Sequence, residues 1–175
     1  LTLNESNYLE KLDYVFEATQ LIKSEIDVPL IGFSGSPWTL FVYLFYGRSP
    51  RDYEIIKSYI SNEPENTHAI LKALTNAIKE YISAQIKSGA DCIQIFDSWG
   101  GILSDQYNEF SLNYTNEIRA SLSKDIPMIL YAKGSSINGL LSDTKIDCFN
   151  LDCDENIDDY INMPLTIQGN FDPKN

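Results

Sequence analysis

Histidine occurs once in this chain of 175 residues, cysteine three times and tryptophan twice. That scarcity removes several chemistries. The lone His68 has no Asp and Ser partners at a recognisable spacing, so a hydrolase triad is poorly supported, and its place near the start of a helical pattern reads as a surface or capping residue. A zinc site needs three or four clustered ligands; Cys148 and Cys153, with Cys92 far upstream, make a poor set, and no metal is expected. An odd number of cysteines without framework spacing argues against a disulfide scaffold and for a reducing, cytoplasmic setting; Cys92, inside an apolar run, reads as a small buried thiol. No run of 18 apolar residues is present, so no membrane-spanning helix is expected. The N-terminus, Leu1-Thr2-Leu3-Asn4-Glu5, has neither a basic leader before an apolar segment nor an initiator Met, which reads as a chain starting inside a longer frame.

Basic residues are also few. Thirteen Lys and Arg face 25 Asp and Glu, a formal net charge of −12. Such a surface repels nucleic acid and anionic lipid, so neither is an expected partner. Much of the excess falls late, where Asp143, Asp147, Asp152, Asp154, Glu155, Asp158 and Asp159 are opposed only by Lys145. The cluster lacks the Gly and terminal Glu of a calcium loop and reads as a solvated acidic face.

What is present is an alternation. Apolar strand-like runs at 28–33, 91–96, 127–132, 148–151 and 164–168 are separated by helical patterns, and none is joined by a two-residue hairpin turn. Before the first run, Leu9, Leu12, Val15, Phe16, Leu21 and Ile22 recur at helical spacing. Between the first two runs, helices are expected over 37–47, 50–61 and 64–87, the last with a buried stripe of Ile70, Leu71, Leu74, Ile78, Ile82 and Ile86. Further helices are expected near 105–122, 136–143 and 155–161. This is a β/α chain with parallel strands in one domain, 1–175, without a linker or a second domain. An open doubly wound sheet and a (β/α)8 barrel both fit the pattern, although five strands are too few for a closed barrel. Neither a Gly-x-Gly-x-x-Gly nor a Gly-x-x-x-x-Gly-Lys phosphate loop occurs.

Three strand ends stand out, and in α/β proteins sites are built there. They are Ser34-Gly35-Ser36-Pro37-Trp38-Thr39, with Tyr43 one helical turn beyond Thr39; Asp97-Ser98-Trp99-Gly100-Gly101; and Ala132-Lys133-Gly134-Ser135-Ser136. Small residues let a ligand approach backbone N–H groups, and the hydroxyls and Lys133 offer donors to carboxylates. The residues alone fit ordinary βα turns as well as a ligand rim.

The string Gly32-Phe33-Ser34-Gly35-Ser36-Pro37-Trp38-Thr39-Leu40, followed by Tyr43, resembles the internal signature of the uroporphyrinogen decarboxylase family. Ala84-Gln85-Ile86-Lys87-Ser88-Gly89-Ala90, Ile95 to Gly101, Tyr131-Ala132-Lys133-Gly134 and Gln168-Gly169-Asn170-Phe171-Asp172-Pro173 follow in the family's order. The resemblance implies an α/β fold, a (β/α)8 TIM barrel of which this chain covers roughly strands three to seven. It implies a cytoplasmic homodimer that decarboxylates the four acetate side chains of uroporphyrinogen III to coproporphyrinogen III without a cofactor. It implies two substrate-binding residues here: Tyr43, lining the porphyrinogen cleft, and Ser98, contacting a substrate side chain. Tyr46, and Asn150-Leu151-Asp152-Cys153 in place of Gly-Leu-Asp-Trp, depart from the family pattern. The family's arginine-rich N-terminal motif, its Phe-Ser-Asp aspartate and its Gly-His-Gly segment have no counterpart in these residues. No catalytic residue is therefore assigned in this chain, and the piece alone is expected to be inactive. The competing readings are a corrinoid-linked methyltransferase of the same barrel superfamily and a non-catalytic truncated remnant.

Overall fold

A computed structural model of the chain describes residues 8–134 and 143–171. Its centre is a sheet of five parallel strands: β1 (Ile31–Gly35), β2 (Cys92–Asp97), β3 (Met128–Ala132), β4 (Cys148–Asn150) and β5 (Thr166–Gln168). They lie side by side in chain order. A doubly wound sheet reverses its order at a switch point; here every strand is added on the same side, as in the wall of a (β/α)8 barrel.

Among the described residues five α-helices accompany the sheet: α1 (Asp13–Glu25), α2 (Pro37–Tyr46), α3 (Glu54–Asn62), α4 (Pro64–Lys87) and α5 (Asn113–Ser121). Helix α2 begins as its sequence dictates. The Ser36 hydroxyl accepts from the Thr39 N–H, and Pro37 takes the first position, where its missing N–H costs nothing. Gly47, at φ 64°, ends it in the left-handed conformation and donates its N–H to the Tyr43 carbonyl.

Side chains paired in register share a face. Ile93, Ile95, Met128 and Leu130, each with 0% exposure, lie on the helix-covered face. There they join Leu71, Leu74, Ile78 and Ile82 of α4 in one core; each such side chain contributes about 1.5–3 kcal/mol on full burial. The opposite face carries Phe33, Gln94, Ile129 and Cys148 in one row and Gly35, Phe96, Tyr131, Asn150 and Gln168 in the next. It is shielded in the middle and open at the β1 side, where Phe33 is 60% exposed.

The observed elements differ from expectation at several points, and α3 starts at Glu54 instead of 50. Strand β1 runs over 31–35 instead of 28–33, because the Leu30 N–H turns to the Asp91 carboxylate and the ladder reaches on to Ser34 and Gly35. The helix expected from 105 becomes regular only at Asn113. It is preceded by a 3-10 segment (Gly100–Gln106), kinked at Ser104 with φ 48°, and a π turn (Asn108–Leu112). The stretch expected as a helix near 155–161 holds a 3-10 turn, Ile157–Tyr160. Helix α1 buries none of its side chains, and Leu21 stays 65% exposed: it packs on α4 through Phe16 and Tyr81, beside the open edge of β1. The helix expected near 136–143 lies, up to 142, outside the described residues. Cys92 is only half-buried, and the acidic stretch is not wholly solvated: Asp147 pairs with Arg119 at 2.6 Å and accepts from the Met128 N–H.

Candidate active site at the carboxyl ends of the strands

The three unusual strand ends form one rim. The Ser36 N–H donates to the Phe96 carbonyl at 2.8 Å, and the Gly101 N–H donates to the Lys133 carbonyl at 2.9 Å. The Trp38 indole N–H reaches the Trp99 carbonyl at 2.9 Å, tying α2 to the loop after β2. These contacts require small residues. A Cβ on Gly101 would stand 2.9 Å from the Lys133 oxygen, and one on Gly100 would stand 2.7 Å from the Tyr107 ring.

Asp97, the last residue of β2, lies beneath the rim with 0% exposure. Its Oδ1 accepts from the Ser36 hydroxyl at 2.8 Å and the Thr39 hydroxyl at 3.0 Å, and its Oδ2 accepts from the Ser111 hydroxyl. The π turn is the segment that presents Ser111. The buried Tyr107 hydroxyl stands close by outside hydrogen-bonding geometry, a nearby dipole and not a fourth bond. Burial pushes the Asp97 carboxyl above its ordinary value, and the surrounding hydroxyls pull it back.

Above this floor opens a cleft of about 580 Å³, to which Ser98, Ser104, Tyr131, Tyr53 and Trp99 contribute. Among the described residues its charged lining groups are Lys57 and Lys133, in a chain of net charge −12. Glu54 meets Lys57 at 3.4 Å on the exposed side, and the Tyr131 hydroxyl reaches Asp152 at 3.4 Å. Burial, reinforced by Asp152, pushes Tyr131 up to about 12, so it remains a neutral hydroxyl at physiological pH. A larger hollow, about 620 Å³, lies between α4 and the segment after α5, at the amino-terminal end of the strands and away from this cluster.

Of the two substrate-binding residues expected from the sequence, Ser98 lines the cleft. Tyr43 stands next to it, 41% exposed, its ring edge-on to Trp99 at 6.1 Å; Tyr53 flanks Trp99 at the same distance. His68 takes no part. It stacks on Phe110 at 4.9 Å and meets Tyr114 and Glu109, which makes it a packing residue between α4 and the π turn and not a cap. Tyr46 is structural too: its hydroxyl donates to the Asp52 carbonyl and accepts from the Ile56 N–H at the start of α3. In the other departure from the family pattern, Asn150 accepts from Gln94 across the inner face at 3.2 Å.

Sequence reading named Asp97 in a strand end without giving it a role, and missed Tyr53 and Lys57 as parts of the site. Asp97 carried a signal, an acid closing an otherwise uncharged strand. Tyr53 and Lys57 carried only their four-residue spacing, which places them on one side of the α3 start without saying what they face. Among the described residues, no three His, Cys, Asp or Glu side chains converge as a metal-binding group, and no helix is long and apolar enough to cross a membrane.

Comparison with known proteins agrees with this geometry. A solved methyltransferase from Methanosarcina mazei superposes with a TM-score of 0.70 at 20% identity, covering 84% of this chain and 44% of that one; at this identity it shows the barrel-type fold alone. Uroporphyrinogen decarboxylases of Neisseria meningitidis serogroup A and Legionella pneumophila strain Lens are 42% and 40% identical, over 94% and 98% of this chain. The chain spans about half the length of these curated relatives, 50% and 52%. The sequence profile described as Uroporphyrinogen decarboxylase (URO-D) matches residues 1–175 throughout, and the chain belongs to the uroporphyrinogen decarboxylase family.

Proposed function

We propose that this chain is the central part of a uroporphyrinogen decarboxylase, a cofactor-independent carboxy-lyase that converts the four acetate side chains of uroporphyrinogen III to methyl groups. The observation that carries the reading is the cleft at the strand ends, in a chain that matches the family over its whole length: Ser98 on its wall, Tyr43 beside it, and lysines as the charged lining among the described residues. A macrocycle bearing eight carboxylates suits a cationic, hydroxyl-rich rim with aromatic walls.

Loss of CO2 leaves an electron pair on the side-chain carbon. Protonation of the pyrrole beforehand makes the ring a cation that receives this pair; a proton then adds to the side-chain carbon to complete the methyl group, and the first proton leaves the ring, so that one proton is consumed for each CO2 released. The protein's part is to orient the scissile carboxyl and stabilise the ring cation. In this chain Tyr43 and Trp99 offer ring faces to the macrocycle, Ser98 a hydroxyl to a side chain, and Lys57 and Lys133 charge to carboxylates. The group that stabilises the cation, and the arginines expected to grip substrate carboxylates, are assigned to the rest of the protein. This chain by itself is therefore inactive. We place the whole protein in the cytoplasm as a homodimer, by the same family reading.

The test is an anaerobic assay of the complete gene product with uroporphyrinogen III, its products oxidised and separated by carboxyl number. Appearance of hepta- through tetracarboxylate porphyrins is expected. Replacing Lys57 and Lys133 together by Met should raise KM about tenfold, as the loss of two solvent-facing charge contacts of roughly 0.7 kcal/mol each, with little change in melting temperature. An inert complete protein containing stoichiometric zinc would overturn the assignment in favour of the methyltransferase reading.

A further inference from the structure

Two residues proposed to face the ligand come from different β/α units: Tyr43 from α2 after β1, and Ser98 from the loop after β2. Backbone pairing between β1 and β2 ends with the Ser36 N–H on the Phe96 carbonyl, and beyond that bond side chains join the two loops, Asp97 foremost among them. One oxygen of its carboxylate holds the hydroxyls of Ser36 and Thr39, the first turn of α2, while the other holds Ser111 at the π turn. All four residues are buried, Asp97, Ser36 and Ser111 at 0% and Thr39 at 3% exposure. The bonds are also directional. Ser36 Oγ accepts the Thr39 N–H at 2.9 Å, so its own proton is free to go to Asp97. A carboxylate with only acceptor capacity takes all three hydroxyl protons, a pattern an amide cannot reproduce.

We propose that Asp97 is a positioning residue: it fixes the start of α2 against the loop after β2, so that Tyr43 and Ser98 address the same ligand. The proposal rests on the reading of the cleft as the substrate site only for the roles of Tyr43 and Ser98; the coupling of the two loops stands on the geometry alone. Asp97 touches no substrate. Its effect travels one turn along α2 from Thr39 to Tyr43, and one peptide along the chain to Ser98. The Trp38–Trp99 hydrogen bond and the Tyr43–Trp99 ring contact join the two routes at the surface.

The experiment uses the complete gene product carrying Thr39→Val, Thr39→Ser or Asp97→Asn. Thr39→Val keeps side-chain shape and the N–H, and removes only the hydroxyl that meets Asp97; Thr39→Ser keeps that hydroxyl. Thr39→Val is expected to lower kcat about tenfold with KM within about twofold, since misplaced groups cost rate before they cost binding. Thr39→Ser should restore kcat to within about twofold of the parent, and Asp97→Asn should exceed the effect of Thr39→Val. A loss of melting temperature in Thr39→Val with kcat unchanged would overturn the proposal and leave Asp97 a purely structural anchor.

A second readout does not depend on any reaction. In the complete gene product, with any tryptophan outside these 175 residues replaced by Phe, Trp38 is fully buried, so acrylamide quenching of tryptophan fluorescence reports Trp99. Quenching should rise in Thr39→Val as the Tyr43–Trp99 contact loosens, and match the parent in Thr39→Ser. Equal quenching in all three would sink the coupling even if the protein proved to be no decarboxylase. Raised quenching in an inert protein would keep the coupling and reject the function.

Discussion

Gly100 illustrates how little room the rim leaves. A methyl group there would stand 2.7 Å from the Tyr107 ring and 3.0 Å from Asp97 Oδ2, and neither neighbour is the loose end of a flexible chain. Gly100→Ala is expected to destabilise the protein by about 1–3 kcal/mol, the usual cost of overpacking, read as a shift of the urea midpoint at constant slope. An unchanged midpoint would show that Tyr107 swings aside freely. The residue pattern Asp-Ser-Trp-Gly-Gly was legible as an unusual strand end. That its Asp turns to the helix-covered face, in step with Ile93 and Ile95, and its Ser to the opposite one follows from strand alternation. The identity of the partners in Asp97's shell was not, because Ser36, Thr39 and Ser111 lie 61, 58 and 14 residues away in sequence.

Among the elements, α4 has two attachments of different kinds. Near its carboxyl end Gln85 reaches past Gly32 to the outer edge of β1, where its amide accepts from the Phe33 N–H and donates to the Phe33 carbonyl, each at 3.0 Å. The side chain thus takes the place of a neighbouring strand at that one residue. Gln85→Leu should cost about 1–3 kcal/mol, as two backbone groups lose their partner, and should speed hydrogen exchange at the Phe33 amide. An unchanged exchange rate would mean that another strand, not Gln85, holds that amide in the complete protein.

Along the outer face of α4, Lys72 and Lys79 both pair with Glu117 of α5, Lys72 at 2.5 Å. Hydrogen bonds from these lysines hold the Glu117 carboxyl below its ordinary 4.5. The folded state thus binds the Glu117 proton less readily than the unfolded chain. Its stabilisation is present above about pH 4.5 and is lost as pH falls through the lowered value. Glu117→Gln should reduce stability by about 1 kcal/mol or less near neutrality, since the site is about one-third exposed. Denaturation curves of parent and variant should converge below pH 4; a constant offset down to pH 3 would refute the linkage. The helix α4 stripe was readable from period alone, and the structure places Ile70 and Ile86 only partly inside. The irregular start of the helix ending in α5 was not readable, because the kink at Ser104 and the π turn accompany contacts with Asp97 and Tyr107 that no local propensity encodes.

Taken as a whole, the sheet has a shielded outer face and a partly open inner one. Ile31 and Phe33 of β1 are 43% and 60% exposed, and among the described residues no strand pairs with that side of β1, where Gln85 covers the groups of Phe33. An exposed apolar edge strand invites pairing with another chain. Expressed alone, this 175-residue chain should self-associate in sedimentation velocity and bind a hydrophobic dye. A monodisperse monomer that melts cooperatively would contradict this, and would favour a stable remnant over the central part of a larger barrel.

The sequence by itself determined the alternation of strands and helices, the α2 start at Ser36 and Pro37, the buried stripe of α4 and the three strand ends worth attention. Each is a matter of period or cap, settled within a few residues of chain. Motifs in family order also pointed to Tyr43 and Ser98. The family resemblance implied the barrel, which period alone left open against a doubly wound sheet, and the tertiary structure supplied the strand order that agrees with it, because every parallel crossover has the same local signature. Only the tertiary structure brought Lys57 and Lys133 to one cleft and gathered three hydroxyls on Asp97. Such convergence depends on how successive β/α units stack, a long-range packing result that no single segment contains.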